Sequence, residues 1–179
     1  MKMVLVVLAV CSCLVAPSVS MAKSAPANAP AIMNCTGHGD GMTMDQAETE
    51  PVFLLMKSKL GDPASCSLEQ SDADVTLTVT FAHGATLKFL NNQVLELATQ
   101  EAALPAGSAV VSRDEAVKAL KATEKEGSPK GMGVNWARLM GPVPAGSADI
   151  VAEGKTCNAK AHVQYRGGAV VGFGFSTAC

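Results

Sequence analysis

The chain has 179 residues, 48% hydrophobic but only 4% aromatic, with a formal charge of −2. That length suits one domain, or two small halves sharing a core, and the near-balanced charge without a long basic run argues against nucleic acid as a partner. With one Trp, one Tyr and five Phe, the core must be built largely of Val, Leu, Ala and Met.

The first 22 residues read as a secretory signal peptide: Lys2, an apolar stretch from Met3 to Ala16, then small and polar residues to Ser20-Met21-Ala22. The stretch is shorter than the roughly 20 residues a membrane-spanning helix needs, so no transmembrane segment is expected in the mature chain. Val10-Cys11-Ser12-Cys13 loosely resembles a lipobox, but Val10 is a poor cleavage residue and Cys13 would leave a very short leader. The expected location is therefore periplasmic or secreted, without a lipid anchor at Cys13. Removing Lys2 with the leader leaves 13 of the 14 basic residues against 16 acidic ones, a formal charge of −3. Four cysteines remain, Cys35, Cys66, Cys157 and Cys179, and an even number in an exported chain implies two disulfides.

Residues 23–34, rich in Ala and Pro, read as a flexible lead-in, and 34–44 (NCTGHGDGMTM) as a glycine-rich loop. The first helix is predicted over Pro51–Leu60. Pro51 suits the first helical position, Thr49 or Glu50 precedes it as cap, Lys57 and Lys59 suit its C-terminal end, and Gly61 stops it. Val75, Leu77, Val79 and Phe81 alternate with Thr76, Thr78 and Thr80, the pattern of a half-buried strand. Ala82-His83-Gly84 turns it, and Ala85, Leu87 and Phe89 return. Asn91-Asn92 is read as the next turn and Gln93–Ala98 as a third strand, giving a meander.

Ser112 and Glu115 form an S-x-x-E capping box, with Val111 before it. The second helix should run to about Glu126, with Ala116, Val117, Ala119, Leu120 and Thr123 on its inner stripe. A long loop from Ser128 to Ser147 holds the only tryptophan, and Ala148–Ala152 reads as a strand. The terminal ribbon pairs an alternating run (Ala159, Ala161, Val163, Tyr165) with a second (Ala169, Val171, Phe173, Phe175) across Arg166-Gly167-Gly168. Folding back at the glycines sets Cys157 against Cys179, which leaves Cys35 for Cys66. Gly172 and Gly174 would open the last strand's other face to close approach by a helix or a partner, and as a sheet edge the ribbon could accept an added strand.

These elements define an α+β class: two helix-plus-antiparallel-meander units, a candidate tandem duplication with halves 35–104 and 105–179, forming a single domain 35–179 with two disulfides. The layout resembles that of the β-lactamase inhibitory proteins, which also carry tandem helix-plus-sheet units with disulfides. The likeness is one of arrangement and carries over no residue.

Two residue groups suit protein recognition. Met132, Asn135, Trp136 and Arg138 lie in the long loop, and Trp and Arg are the types most enriched at binding hot spots; Trp136 could equally close the core. Lys160, His162 and Arg166 share the outer face of the ribbon with Gln164. The expected function is a non-enzymatic, inhibitor- or immunity-like module of the bacterial envelope that binds an unidentified envelope protein and needs no cofactor. The alternative is a periplasmic copper carrier using His38, Met42 and Met44, whose imidazole and thioethers suit Cu(I). The chain has no G-x-S-x-G elbow and no H-E-x-x-H helix, and no enzymatic activity is expected.

Overall fold

Alternating and helical patterns are realised here as one sheet with helices against one of its faces. The computed structural model describes residues 35–37, 41–72, 74–92, 97–106, 110–126 and 132–177. The chain divides after Ile32, and every described element belongs to the unit Met33–Cys179. In chain order these are β1 (Thr36–Gly37), α1 (Met44–Ala47), α2 (Pro51–Leu60), β2 (Ser65–Ser71), β3 (Asp74–Thr80), β4 (Thr86–Asn92), β5 (Leu97–Ala103), α3 (Arg113–Glu126), β6 (Ala148–Glu153), β7 (Lys160–Arg166) and β8 (Ala169–Ser176). The described strands form one sheet in the order β1-β2-β3-β4-β5-β8-β7-β6, antiparallel except at β1–β2. The class is mixed α+β.

Both long helices start where local chemistry says they should. Pro51 opens α2 and Gly61, at φ +81°, ends it. At α3 the Glu115 carboxylate accepts from the Ser112 backbone N–H (2.9 Å) and hydroxyl (2.8 Å), while the Glu115 N–H donates back to Ser112 Oγ (3.3 Å). The predicted stripe of Ala116, Val117, Ala119, Leu120 and Thr123 is buried throughout. Beneath the helices, register aligns two cross-strand rows of core side chains. One runs Cys66, Val79, Leu87, Ala102, Phe173, Val163; the other runs Leu77, Phe89, Gln100, Phe175, Ala161, Ala152. Gln100 is the polar member. Its amide donates to Glu50 Oε2 (3.0 Å), and its carbonyl accepts from Thr123 (3.4 Å), so a buried amide is satisfied from both helical elements.

Several expectations are corrected. Residues 65–71 form β2, whose mostly polar sequence (SCSLEQS) hides its alternation. Asn91 and Asn92 do not turn: they end β4 and pair on both sides, because their backbone groups join the ladder whatever the side chain prefers. The third strand of that meander runs over Leu97–Ala103, and residues 93–96 of the expected strand lie outside the described residues. The loop read over 34–44 contains β1 and the start of α1, which has its own Thr43/Gln46 capping box. In the terminal ribbon, Gly167 and Gly168 turn at φ +59° and +78° as foreseen. The turn sets Val170 opposite Tyr165, and a register shift between Tyr165 and Gln164 then sets Gly172, not Val171, opposite Gln164. Val170, on the turn side of the bulge, is buried and Val171, skipped at it, only partly so, since the bulge switches which residues face inward. The ribbon is also no edge: β8 lies between β5 and β7, and the free edge at that end is β6.

Cys35 and Cys66 form a disulfide, joining β1's approach to β2. Cys157 is also disulfide-bonded. Its expected partner, Cys179, lies outside the described residues.

Candidate functional site

Helices cover one face of the sheet, and strand register determines what the other face displays. On β7 the even positions point away from the helices: Lys160, Gln164 and Arg166 are exposed and His162 is half-buried, while Ala161, Val163 and Tyr165 are buried beneath the helices. Next to them on β8 stand Gly174, opposite His162, and Gly172, opposite Gln164. A Cβ on Gly174 would fall inside van der Waals contact of His162 Cε1, and one on Gly172 would lie 2.5 Å from Gln164 Oε1. The close approach to these glycines is thus made by side chains of the neighbouring strand, not by a helix. Past Gly174 the same row continues through Glu101 on β5, Lys88 on β4 and Thr78 on β3. Glu101 and Lys88 are exposed. Single-strand reading missed both, since only the cross-strand register aligns them with His162. The signal available for Lys88 was its alternation with Leu87 and Phe89. The face combines hydrogen-bond donors, acceptors and charges of both signs.

The second predicted group sits elsewhere. Trp136 opens a 3₁₀ helix, Trp136–Met140, and lies half-buried on the helical side. Its ring stacks on Phe175 (centroids 6.3 Å, planes 15° apart). Its indole N–H donates to Glu124 Oε2 at 2.8 Å, and the Lys121 ammonium lies 5.9 Å from the ring centroid. Met132 is buried at 1% exposure, and its carbonyl accepts from the N–H groups of Lys155 and Thr156. Asn135 and Arg138 are exposed, and the Asn135 N–H donates to the Glu153 carbonyl (3.2 Å). The fold brings Lys160, His162 and Arg166 together. It puts Trp136, packed on the inward-facing Phe175, on the opposite side of the sheet from them.

The copper ligand set is only partly described. His38 lies outside the described residues, and Met42 and Met44 are half-buried, packed against the core. Among the described residues no group of three His, Cys, Asp or Glu side chains is placed to hold a metal. No described helix is long and apolar enough to cross a membrane.

Two titratable groups are perturbed near the N-terminus of α3. Glu115 is held down to about 2, first by the hydrogen bond from Lys59 (Nζ–Oε1 2.5 Å) and then by those from Ser112. Burial pushes the Tyr165 hydroxyl up and the Asp114 charge adds to this, against the pull of the Arg113 guanidinium. Arg113 spends one donor on the Gly141 carbonyl, which ties the loop after the 3₁₀ helix to α3.

No protein-family model matches the chain, and neither curated proteins nor solved structures yield a match.

Proposed function

We propose that the chain is an exported, non-enzymatic protein-binding module of the bacterial envelope, inhibitor- or immunity-like, whose contact surface is the uncovered sheet face around Lys160, His162 and Arg166. The observation that carries this reading is the row on that face: His162 lying over buried Gly174, then Glu101 and Lys88, side by side on four strands with no described helix over them. Side chains held on strands within one sheet present a fixed array, so a partner meets them at little ordering cost.

The scaffold would consist of two helix-plus-meander halves, 35–104 and 105–179, related by duplication. They are joined where β5 pairs with β8 and where α2 packs on α3. Export follows from the leader at 1–22, and the oxidising compartment it leads to suits the disulfides. The second staple would be Cys157–Cys179, since Cys157 is disulfide-bonded and Cys35 and Cys66 pair with each other.

A photo-crosslinking residue at position 164 of the mature chain, expressed in the native envelope, tests the reading. A discrete adduct is expected there, lost on Lys160→Glu/Arg166→Glu, and absent when the crosslinker stands at exposed Ser58 on α2. Equal labelling from positions 164 and 58 would refute the open face as the contact surface.

A further inference from the structure

One edge of the described sheet is β6, and the ladder reveals which backbone groups face outward. The Gly154 N–H donates to the Ala159 carbonyl (2.7 Å), which makes the two a hydrogen-bonded pair through that one bond, while the Ala159 N–H turns to the Thr156 carbonyl (3.2 Å). In an antiparallel ladder such pairs alternate with pairs whose groups point away from each other. Residues 152, 150 and 148 therefore bond to β7, and Asp149, Val151 and Glu153 turn their N–H and C=O groups outward. The Asn135 N–H confirms the parity by donating to the Glu153 carbonyl from outside. That contact closes one end of the edge. Among the described residues, none bonds the outward groups of Asp149 or Val151.

The side chains at this edge discriminate among occupants. Asp149 and Glu153 are exposed on the uncovered face, and no described cation lies within ion-pair distance of either. A second copy pairing antiparallel about Val151 would set Asp149 opposite Glu153 of the other chain, and pairing about Asp149 would set like carboxylates opposite each other; both are unfavourable, whereas pairing about Ile150 would set Asp149 opposite Val151 without gaining an ion pair. An incoming strand with Lys or Arg opposite Asp149 meets the reverse situation. The acids thus disfavour two registers of self-pairing and favour a basic guest over a second copy.

We propose that the β6 edge at Asp149–Val151 accepts a short extended segment of a basic partner as an added strand. Backbone hydrogen bonds to Asp149 and Val151 would supply affinity, and the Asp149 and Glu153 carboxylates would supply selectivity. This rests on the reading of the chain as a protein-binding module, but its backbone contacts lie along the β6 edge, beside the open face rather than on it.

The test uses the mature full chain and the fluorescein-labelled peptide Thr-Lys-Val-Lys-Val-Thr, followed by fluorescence anisotropy. Saturable binding is expected, weakened by salt and lost when alternate amides of the peptide are N-methylated. Val151→Pro removes only an outward N–H, a position where edge strands tolerate proline. It should keep the circular-dichroism melt while weakening the peptide about tenfold or more. Asp149→Lys/Glu153→Lys should exchange the preference to the peptide with Glu in place of Lys. Absence of saturable binding, or binding indifferent to Val151→Pro and to N-methylation, overturns the proposal. Gln164 stands opposite Asp149, so a crosslinker at exposed Lys88 on β4, four strands from β6, reports the open face separately, and either surface can fail without the other.

Discussion

Trp136→Ala separates the two roles that a lone tryptophan can play. The ring stacks on Phe175, donates to Glu124 and lies under Lys121, so it clamps α3 and the 3₁₀ helix to the sheet. Full truncation of a core aromatic costs about 3–5 kcal/mol, and half-burial trims this. Losing a charge-assisted hydrogen bond and an aromatic contact restores part of it. We expect about 3 kcal/mol of lost stability, which for a domain of this size lowers the melting temperature by about 6–12 °C. The assay is urea unfolding followed by far-ultraviolet circular dichroism, because the chain has only one Trp and its fluorescence disappears with the mutation. Trp136→Phe keeps a ring against Phe175 but has no N–H, and should cost about 1 kcal/mol. A loss below about 1 kcal/mol for the alanine variant, with unchanged denaturant slope, would refute the clamp and return Trp136 to the role of a free contact residue.

Three further outcomes follow from particular geometries. Cys35→Ser/Cys66→Ser opens a loop of sequence separation 31 and should cost about 3–4 kcal/mol in the chain-entropy model, measured by denaturant unfolding. Gly174→Ala would drive a Cβ into the His162 ring and to within 2.8 Å of the Gln100 carbonyl. Overpacking of about 1–3 kcal/mol is expected, and adding His162→Ala should recover only the part due to the ring, because the carbonyl cannot withdraw. Glu115, depressed to about 2 in the folded chain from 4.5, contributes stability that is fully present above its unfolded value and is lost as pH falls toward 2. Glu115→Gln should therefore flatten the acid limb of a stability–pH curve between about 4.5 and 2 while leaving its neutral-to-alkaline shape unchanged; an unaltered acid limb would show that the Lys59 and Ser112 contacts do not persist in solution.

What the sequence determined by itself was local. Pro51 and Gly61 bounded α2, the Ser112/Glu115 box started α3, and the threonine alternation marked β3, because caps and side-chain periodicity act within a few residues of the groups they satisfy. The inward stripe of α3 and the two-glycine turn were legible for the same reason. The tertiary structure alone decided matters that depend on pairing between distant segments. Polar β2 and the asparagine end of β4 became strands because neighbours offered backbone partners, a force no side-chain pattern records. The bulge beside Tyr165 exchanged Val171 for Val170 in the core. Insertion of β8 between β5 and β7 made β6 the edge, where Asp149 and Val151 keep outward backbone groups. Strand order also parted the two groups of candidate contact residues: β7 lifts Lys160, His162 and Arg166 onto the uncovered face, while Phe175 and Glu124 hold Trp136 on the other. Residues far apart in the chain, such as Lys88, Glu101 and His162, share a row only through register, which is set by the summed pairing of whole strands.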